Sequence, residues 1–205
     1  MKLHYSATSP FVRKVRAVAI ETGQDARLEL VTPTMTPIKP DADLVEDNPL
    51  GKVPCLITDD VAALYDSRVI CEYLDSLHDG PKMFPSAGPA RWSALRRQAE
   101  GDGIMDAGVL GRYETFLRPQ ERRWPEWLEG QKGKFRRALD SLEGEADDFG
   151  DTVDIGTISI GCALGYLDFR YGDEAWRATR PRLAAWFERF GARPSMARTA
   201  PVEMR

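Results

Sequence analysis

Asn48-Pro49-Leu50-Gly51-Lys52-Val53-Pro54-Cys55-Leu56 is the stretch on which the fold turns. Pro54 falls where an apolar strand, Val53 to Thr58, should begin, and proline cannot donate to a strand ladder. Two arrangements satisfy this. One is an ordinary trans proline at the first strand residue. The other is a cis Val53-Pro54 bond, which only X-Pro pairs adopt cheaply. A cis bond turns the chain sharply and leaves the Val53 N–H and C=O facing outward, free to pair with an extended peptide.

Moving toward the C-terminus, Val53 to Thr58 and Val61 to Leu64 flank Asp59-Asp60 and read as a hairpin. Ser67 then opens a helix with Ile70, Cys71, Leu74 and Leu77 on one face. Toward the N-terminus, a Pro-rich loop separates the stretch from Ala26 to Val31, where Leu28 and Leu30 alternate with charged residues as in a half-buried strand. Lys2 to Tyr5 is a further short strand. Ser9-Pro10 then starts a helix, with a hydroxyl at the N-cap and a ring at the first position. Phe11, Val15 and Val18 give that helix its buried face, and Gly23 ends it. The order is βαβ followed by ββα over residues 1–78.

Residues 79–90, with three prolines and two glycines, have the composition of a linker, placed at 79–88. Everything from residue 89 to 205 reads as helix. Phe135, Ala138, Leu139, Leu142, Ala146 and Phe149 form the clearest stripe, and Leu183, Trp186, Phe187 and Phe190 repeat it before Gly191. The reading is an α/β N-terminal domain joined to an all-α C-terminal domain.

Composition narrows the chemistry. The 28 Lys and Arg against 32 Asp and Glu leave a formal charge of -4, a field with no attraction for nucleic-acid phosphates or an anionic membrane. Apolar runs are broken well before the roughly 20 residues a membrane span needs. The polar start Met1-Lys2-Leu3-His4-Tyr5-Ser6 lacks a secretory h-region, so a reducing cytoplasm is expected. Cys55, Cys71 and Cys162 are odd in number, widely spaced and set among apolar neighbours; they read as buried hydrophobes rather than a disulfide or zinc framework. With His4 and His78 as the only histidines, no three-His metal site can form, and no metal is expected. The common phosphate-loop, dinucleotide and zinc-protease motifs are absent.

Three junctions are left to carry chemistry. Thr8-Ser9-Pro10-Phe11 sets a hydroxyl beside the free N–H groups of a helix start, a place that stabilises an anion such as a thiolate. Arg13, Lys14 and Arg16 sit in the first turns of that helix, where cations oppose the dipole; they point either to an anionic ligand or to a solvated face, and Ser9 is either a ligand donor or a plain N-cap. At the second junction, residues 48–56, backbone pairing with a peptide competes with an ordinary strand start. At the third, Tyr65-Asp66-Ser67, a carboxylate, a hydroxyl and helix N–H groups converge as an amino acid's ammonium and carboxylate require, although an Asp-Ser pair also serves as a simple cap.

In this order the junctions resemble the cytosolic glutathione transferases, through S-P-F-V-R-K-V at 9–15, N-P-L-G-K-V-P at 48–54, and D-S at 66 and 67. A closer likeness, to the bacterial YibF-like subgroup, lies in D-G-I-M-D-A-G at 102–108 and I-S-I-G-C-A-L-G-Y-L-D-F-R at 158–170. The resemblance implies a thioredoxin-like N-terminal domain, a helical C-terminal domain, a homodimer, and glutathione as co-substrate. It implies that Ser9, with Phe11 beside it, holds the glutathione sulfur, with Thr8 as the alternative hydroxyl. Val53 would pair through its backbone with the cysteinyl unit beside the cis-proline Pro54, and Asp66 and Ser67 would hold the γ-glutamyl end. Lys52 or Arg13 would meet the glycine carboxylate.

Asp102 and Asp106, four apart on one helix face, form an unfavourable pair unless cations or a ligand amine offset it. By analogy either reaches the glutathione ammonium, across a dimer; the other reading packs them against arginines of a neighbouring helix. Gly101, Gly103, Gly108 and Gly111 point to close helix approach. Met105, Val109 and Tyr113 read either as core or as walls of an electrophile pocket. Asp154 as N-cap with Thr157 at the third helical position reads as a capping box with the two residue types exchanged.

The function expected is detoxification chemistry, in which the Ser9 hydroxyl stabilises the glutathione thiolate for attack on a small hydrophobic electrophile. A glutathione-dependent isomerase, dehalogenase or reductase, or a non-catalytic glutathione-binding or protein-interaction module, is the alternative. The electrophile carries no motif of its own.

Overall fold

The computed structural model describes residues 1–60 and 62–203. Strand β1 (Lys2–His4) is the centre of a three-stranded sheet of order β2-β1-β3. It pairs in parallel with β2 (Glu29–Val31), Leu3 opposite Leu30, and antiparallel with β3 (Cys55–Ile57), Leu3 opposite Leu56. Helix α1 (Pro10–Glu21) makes the parallel crossover, burying Val15 and Val18; Phe11 is partly buried. Gly23, at φ +72°, follows the C-cap.

The strands are shorter than the sequence suggests. A 3₁₀ turn, Asp25–Arg27, takes the first part of the expected strand 26–31, so only Glu29–Val31 pairs. The expected hairpin reduces to a bridge between Leu56 and Leu64, closed by N–H to O bonds of 2.9 and 2.8 Å; its Val61 lies outside the described residues. The Pro-rich loop hides a helix, α2 (Ala42–Asp47), capped by Asp41 through the Leu44 N–H at 3.1 Å. Six residues with one buried apolar side chain, Leu44, leave no periodic stripe to read. Helix α3 (Ser67–Ser76) then covers the sheet with Ile70, Cys71 and Leu74.

The helical half consists of α4 (Gly88–Phe116), α5 (Pro125–Phe149), α6 (Ile155–Arg170), α7 (Trp176–Thr179), α8 (Pro181–Gly191) and α9 (Pro194–Ala197). The long α4 packs along α6, and three of its glycines permit it. A Cβ on Gly101 would stand 2.7 Å from the Ser159 backbone, one on Gly108 3.0 Å from the Tyr166 ring, and one on Gly111 2.5 Å from the Tyr171 hydroxyl. Gly101 meets residue 159 and Gly108 meets residue 166, so the two helices run side by side in the same direction. Gly103 faces open space.

Helix α6 is buried along nearly its whole length and starts on the exchanged capping box. The Thr157 N–H donates to Asp154 Oδ1 at 2.9 Å and the Asp154 N–H donates to Thr157 Oγ1 at 3.0 Å. Thr157 is short enough to fold back where glutamate usually reaches, so the reciprocal bonding survives the exchange. A single apolar core runs from Leu3, Val15 and Leu56 in the sheet half through Ile104, Ile158 and Leu164 to Trp186 and Phe190.

Candidate functional site

Ser9 caps α1 with extended backbone, φ -80° and ψ 121°. Its Oγ accepts from the Val12 N–H at 3.3 Å. Oxygen lone pairs are thereby turned inward, and the hydroxyl hydrogen is left to donate elsewhere. Pro10 has no N–H, and the Phe11 N–H has no hydrogen-bond partner among the described residues. Thr8 Oγ1 lies 3.4 Å from Ser6 Oγ.

The Val53-Pro54 bond is cis. Val53 is half-buried, and neither its N–H nor its C=O is hydrogen-bonded among the described residues. The loop before it is built on Asn48, a residue quoted in the opening stretch but given no role there. Asn48 is 1% exposed; its amide donates to the Lys52 carbonyl at 2.8 Å, and its side-chain oxygen accepts from the Leu50 N–H at 3.0 Å. Gly51, at φ +59° and facing Pro40, makes the turn that a side chain would strain. The ammonium of exposed Lys52 reaches toward α4, where its charge acts on Asp106.

At the third junction Asp66 is the N-cap of α3 and accepts from the Arg68 N–H at 2.9 Å. The Tyr65-Asp66 bond is also cis, which no sequence signal announces. Ser67 is 2% exposed, and its hydroxyl has no partner among the described residues. The Ser9 hydroxyl hydrogen, the Val53 backbone groups and the Ser67 hydroxyl are therefore free of internal bonds among the described residues at the starts of α1, β3 and α3, and the Asp66 carboxylate carries one bond, from the Arg68 N–H.

Across from them lies α4. Asp102 does not face a ligand: it is 1% exposed, with Lys14 Nζ 2.6 Å from one oxygen and Arg68 Nε 2.8 Å from the other. The like-charge pair is offset by one lysine of α1 and one arginine of α3, within one chain. Asp106, a turn further on, remains accessible. Burial by its surroundings first, and the Asp102 charge next, push its carboxyl above the usual carboxylate range against the pull of Arg68 and Lys52. Met105 is fully buried in the core, whereas Tyr113 is 39% exposed, its phenol pushed up by partial burial.

The basic residues of α1 form neither a solvated face nor a ligand shell. Arg13 is 8% exposed and turns inward, donating to the Met196 carbonyl at 3.1 Å, with its guanidinium filling the space a Cβ on Gly165 would take. Arg16 pairs with Asp25 at 3.3 Å. The Nε and Nη1 of Arg13 are buried with no hydrogen-bond partner among the described residues, so of the two cations expected near the glycine carboxylate Arg13 is enclosed within the fold and Lys52 is left exposed. Arg68 is the residue that sequence reasoning passed over; its place directly after Asp66-Ser67, in the first turn of the helix, was the available signal.

Residues 8–77 match the profile described as Glutathione S-transferase, N-terminal domain, and residues 125–189 match Glutathione S-transferase, C-terminal domain. The chain is 38% identical over 204 residues to the "Uncharacterized GST-like protein YibF" of Escherichia coli strain K12, covering 98% of each chain. It superposes with a TM-score of 0.96 on a glutathione transferase family member from Pseudomonas fluorescens Pf-5 crystallised with bound glutathione. That pair shares 49% identity over 98% of this chain and 99% of the other. A glutathione S-transferase of Methylobacillus flagellatus KT with glutathione bound gives a TM-score of 0.89 at 36% identity, over 98% and 99% of the two chains. The chain belongs to the glutathione S-transferase family. No helix among the described residues is long and apolar enough to cross a membrane.

Proposed function

We propose that this protein is a glutathione transferase that holds the glutathione sulfur as a thiolate at Ser9 and directs it onto a small electrophile. The observation that carries the reading is the Ser9 cap: an Oγ that accepts from Val12 and so keeps its own hydrogen to donate, beside the unpaired Phe11 N–H at a helix start. Both donors favour the charged form of sulfur. A reference thiol titrates near about 8.5, and each unit of depression needs about 1.36 kcal/mol. Two units, roughly 2.7 kcal/mol, lie within reach of one or two charge-assisted hydrogen bonds plus a helix terminus. The thiolate is the nucleophile, so the shift converts a small reactive fraction at neutral pH into a majority.

The other contacts of this reading follow the free groups. Val53 pairs through its backbone with the cysteinyl unit beside Pro54. Asp66, Ser67 and the α3 N-terminus receive the γ-glutamyl end, and Lys52 the glycine carboxylate. Asp106 is the acid available to an ammonium, since Asp102 is already paired. Glutathione bound in the Pseudomonas and Methylobacillus relatives supports the choice of tripeptide. The reading includes a homodimer, supported by apolar side chains left exposed on α3 and α4, Val69 at 47% and Trp92 at 68%.

Ser9→Ala tests it. Conjugation kcat/KM should fall by about 10- to 100-fold, as expected for losing one charge-assisted donor, while glutathione still binds. Thr8→Ala should change little, because Thr8 sits against Ser6. Full conjugation by Ser9→Ala, or a loss confined to Thr8→Ala, would overturn the assignment.

A further inference from the structure

The second half of α4 and the end of α6 carry polar groups that neither the fold nor the glutathione contacts use. Tyr166 is 4% exposed, yet its hydroxyl makes no hydrogen bond among the described residues. The ring is enclosed but the hydroxyl is not among the buried unpartnered atoms, so it keeps an opening through which to meet a ligand. Its neighbour Tyr171 shows the ordinary outcome, donating to the Gly108 carbonyl at 2.6 Å. Gly108 leaves the space into which the Tyr166 ring packs.

Two cations lie around this phenol. Arg112 and Arg170 act on it in one direction, and the neighbouring phenols Tyr171 and Tyr113 act in the other. Arg170 is already paired with Glu203 and lies over the Phe169 ring. Arg112 is not paired: half-buried, it lies 4.2 Å from the Phe116 ring centroid and has no carboxylate partner among the described residues. The Tyr113 hydroxyl likewise has no hydrogen-bond partner among the described residues. Burial, then the Tyr171 charge, push the Tyr166 phenol upward, so it remains a donor throughout the working pH range.

The end of α6 that carries Tyr166 packs against α1, the helix that Ser9 caps. Arg13 of α1 reaches Gly165 of α6, one residue before Tyr166, and Ser9 is one turn back from Arg13. Lys14 reaches Asp102, and Asp106 and Tyr113 follow on the same face of α4, seven residues apart.

We propose that the acceptor half of the site is an anion receptor, in which Arg112 with the Tyr166 and Tyr113 hydroxyls takes the carboxylate of an acid-bearing electrophile. This rests on the reading that glutathione is conjugated here. An unpaired half-buried guanidinium and two free phenols suit a carboxylate better than a purely apolar ring, since both of its oxygens accept. The apolar part of the electrophile rests against Phe11 and Val109. With an aryl chloride the thiolate sulfur forms the C–S bond at the carbon bearing chlorine, and chloride leaves with the C–Cl electron pair. The thiol proton has already gone to solvent.

The test uses the full chain with glutathione and two probes, a chloronitrobenzoate and the chloronitrobenzamide of the same substitution pattern. Each kcat/KM is divided by the probe's uncatalysed rate with glutathione. The wild type should favour the benzoate, and R112Q should lower the benzoate-to-benzamide ratio by about tenfold or more, the size expected for losing a charge-assisted contact. Y166F, which removes only an oxygen atom, should lower the same ratio by a smaller factor, through KM. No preference for the benzoate in the wild type, or a ratio unchanged in both variants, overturns this inference and leaves conjugation at Ser9 standing. Turnover of neither probe by a protein that still binds glutathione overturns both.

Discussion

At the residue scale, what decides a group's role here is whether its hydrogen-bonding capacity is already spent. Ser9 keeps its hydroxyl hydrogen and Val53 and Ser67 keep their groups free, whereas Asp102 spends both oxygens on Lys14 and Arg68, and Arg13 is enclosed with one bond to Met196 and two buried nitrogens without a partner among the described residues. The cysteines make the complementary case. Burial pushes Cys55 to about 11, with the Asp47 charge adding to it; burial likewise pushes Cys71 to about 12 and Cys162 to about 11. The thiolate is the reactive form, so none should act as a nucleophile near neutral pH. A disulfide-exchange reagent added to the native protein at pH 7.5 should therefore label no cysteine on a timescale of minutes, and three after denaturation. Rapid labelling of any one in the folded protein would contradict this. Their apolar sequence neighbours made that burial legible. The fate of Asp102 was not, because its partners Lys14 and Arg68 are 88 and 34 residues away.

At the scale of elements, long helices were readable and short ones were not. The stripe from Phe135 to Phe149 and the cap at Ser9 each repeat a local rule often enough to be recognised, and both mark real elements, α5 and α1. α2, with six residues, and the single bridge at Leu64 give no such repetition; they exist because tertiary partners hold them. The four glycines near residue 105 signalled close approach; two of them meet α6, and a third meets Tyr171 just past its end. The elements are joined most tightly where α1, α3 and α4 meet at Asp102. Lys14 there is fully buried, so removing its partner strands a charge inside the protein. Asp102→Ala should cost about 3–5 kcal/mol of stability, a fall of roughly 10 °C in Tm. The double substitution K14M with D102L should recover most of that loss, because Arg68 is more than half exposed and can turn to water. A single variant within about 1 kcal/mol of the wild type, read from urea unfolding, would show that the clasp contributes little.

Across the whole molecule, one apolar core spans both halves, so the ends of α1, β3 and α3 are held against α4 and α6 by packing as well as by the Asp102 clasp. That arrangement gives the site its division of labour. In the proposed reading the sheet half offers backbone and cap groups to the peptide, Asp106 of the helical half faces its ammonium, and Tyr113, Arg112 and Tyr166 face whatever the sulfur meets. The first was visible in the sequence because cis-proline turns and helix caps have local signatures. The second was not, since Arg112 and Tyr166 are ordinary helical residues until α4 and α6 bring them together. The most direct measurement is the ultraviolet thiolate absorbance of glutathione bound to the wild-type protein, titrated from pH 5 to 9. The account predicts a bound thiol titrating about two units below the free one, near 6.5, and a return toward about 8.5 in Ser9→Ala. A bound thiol that titrates like free glutathione would contradict it.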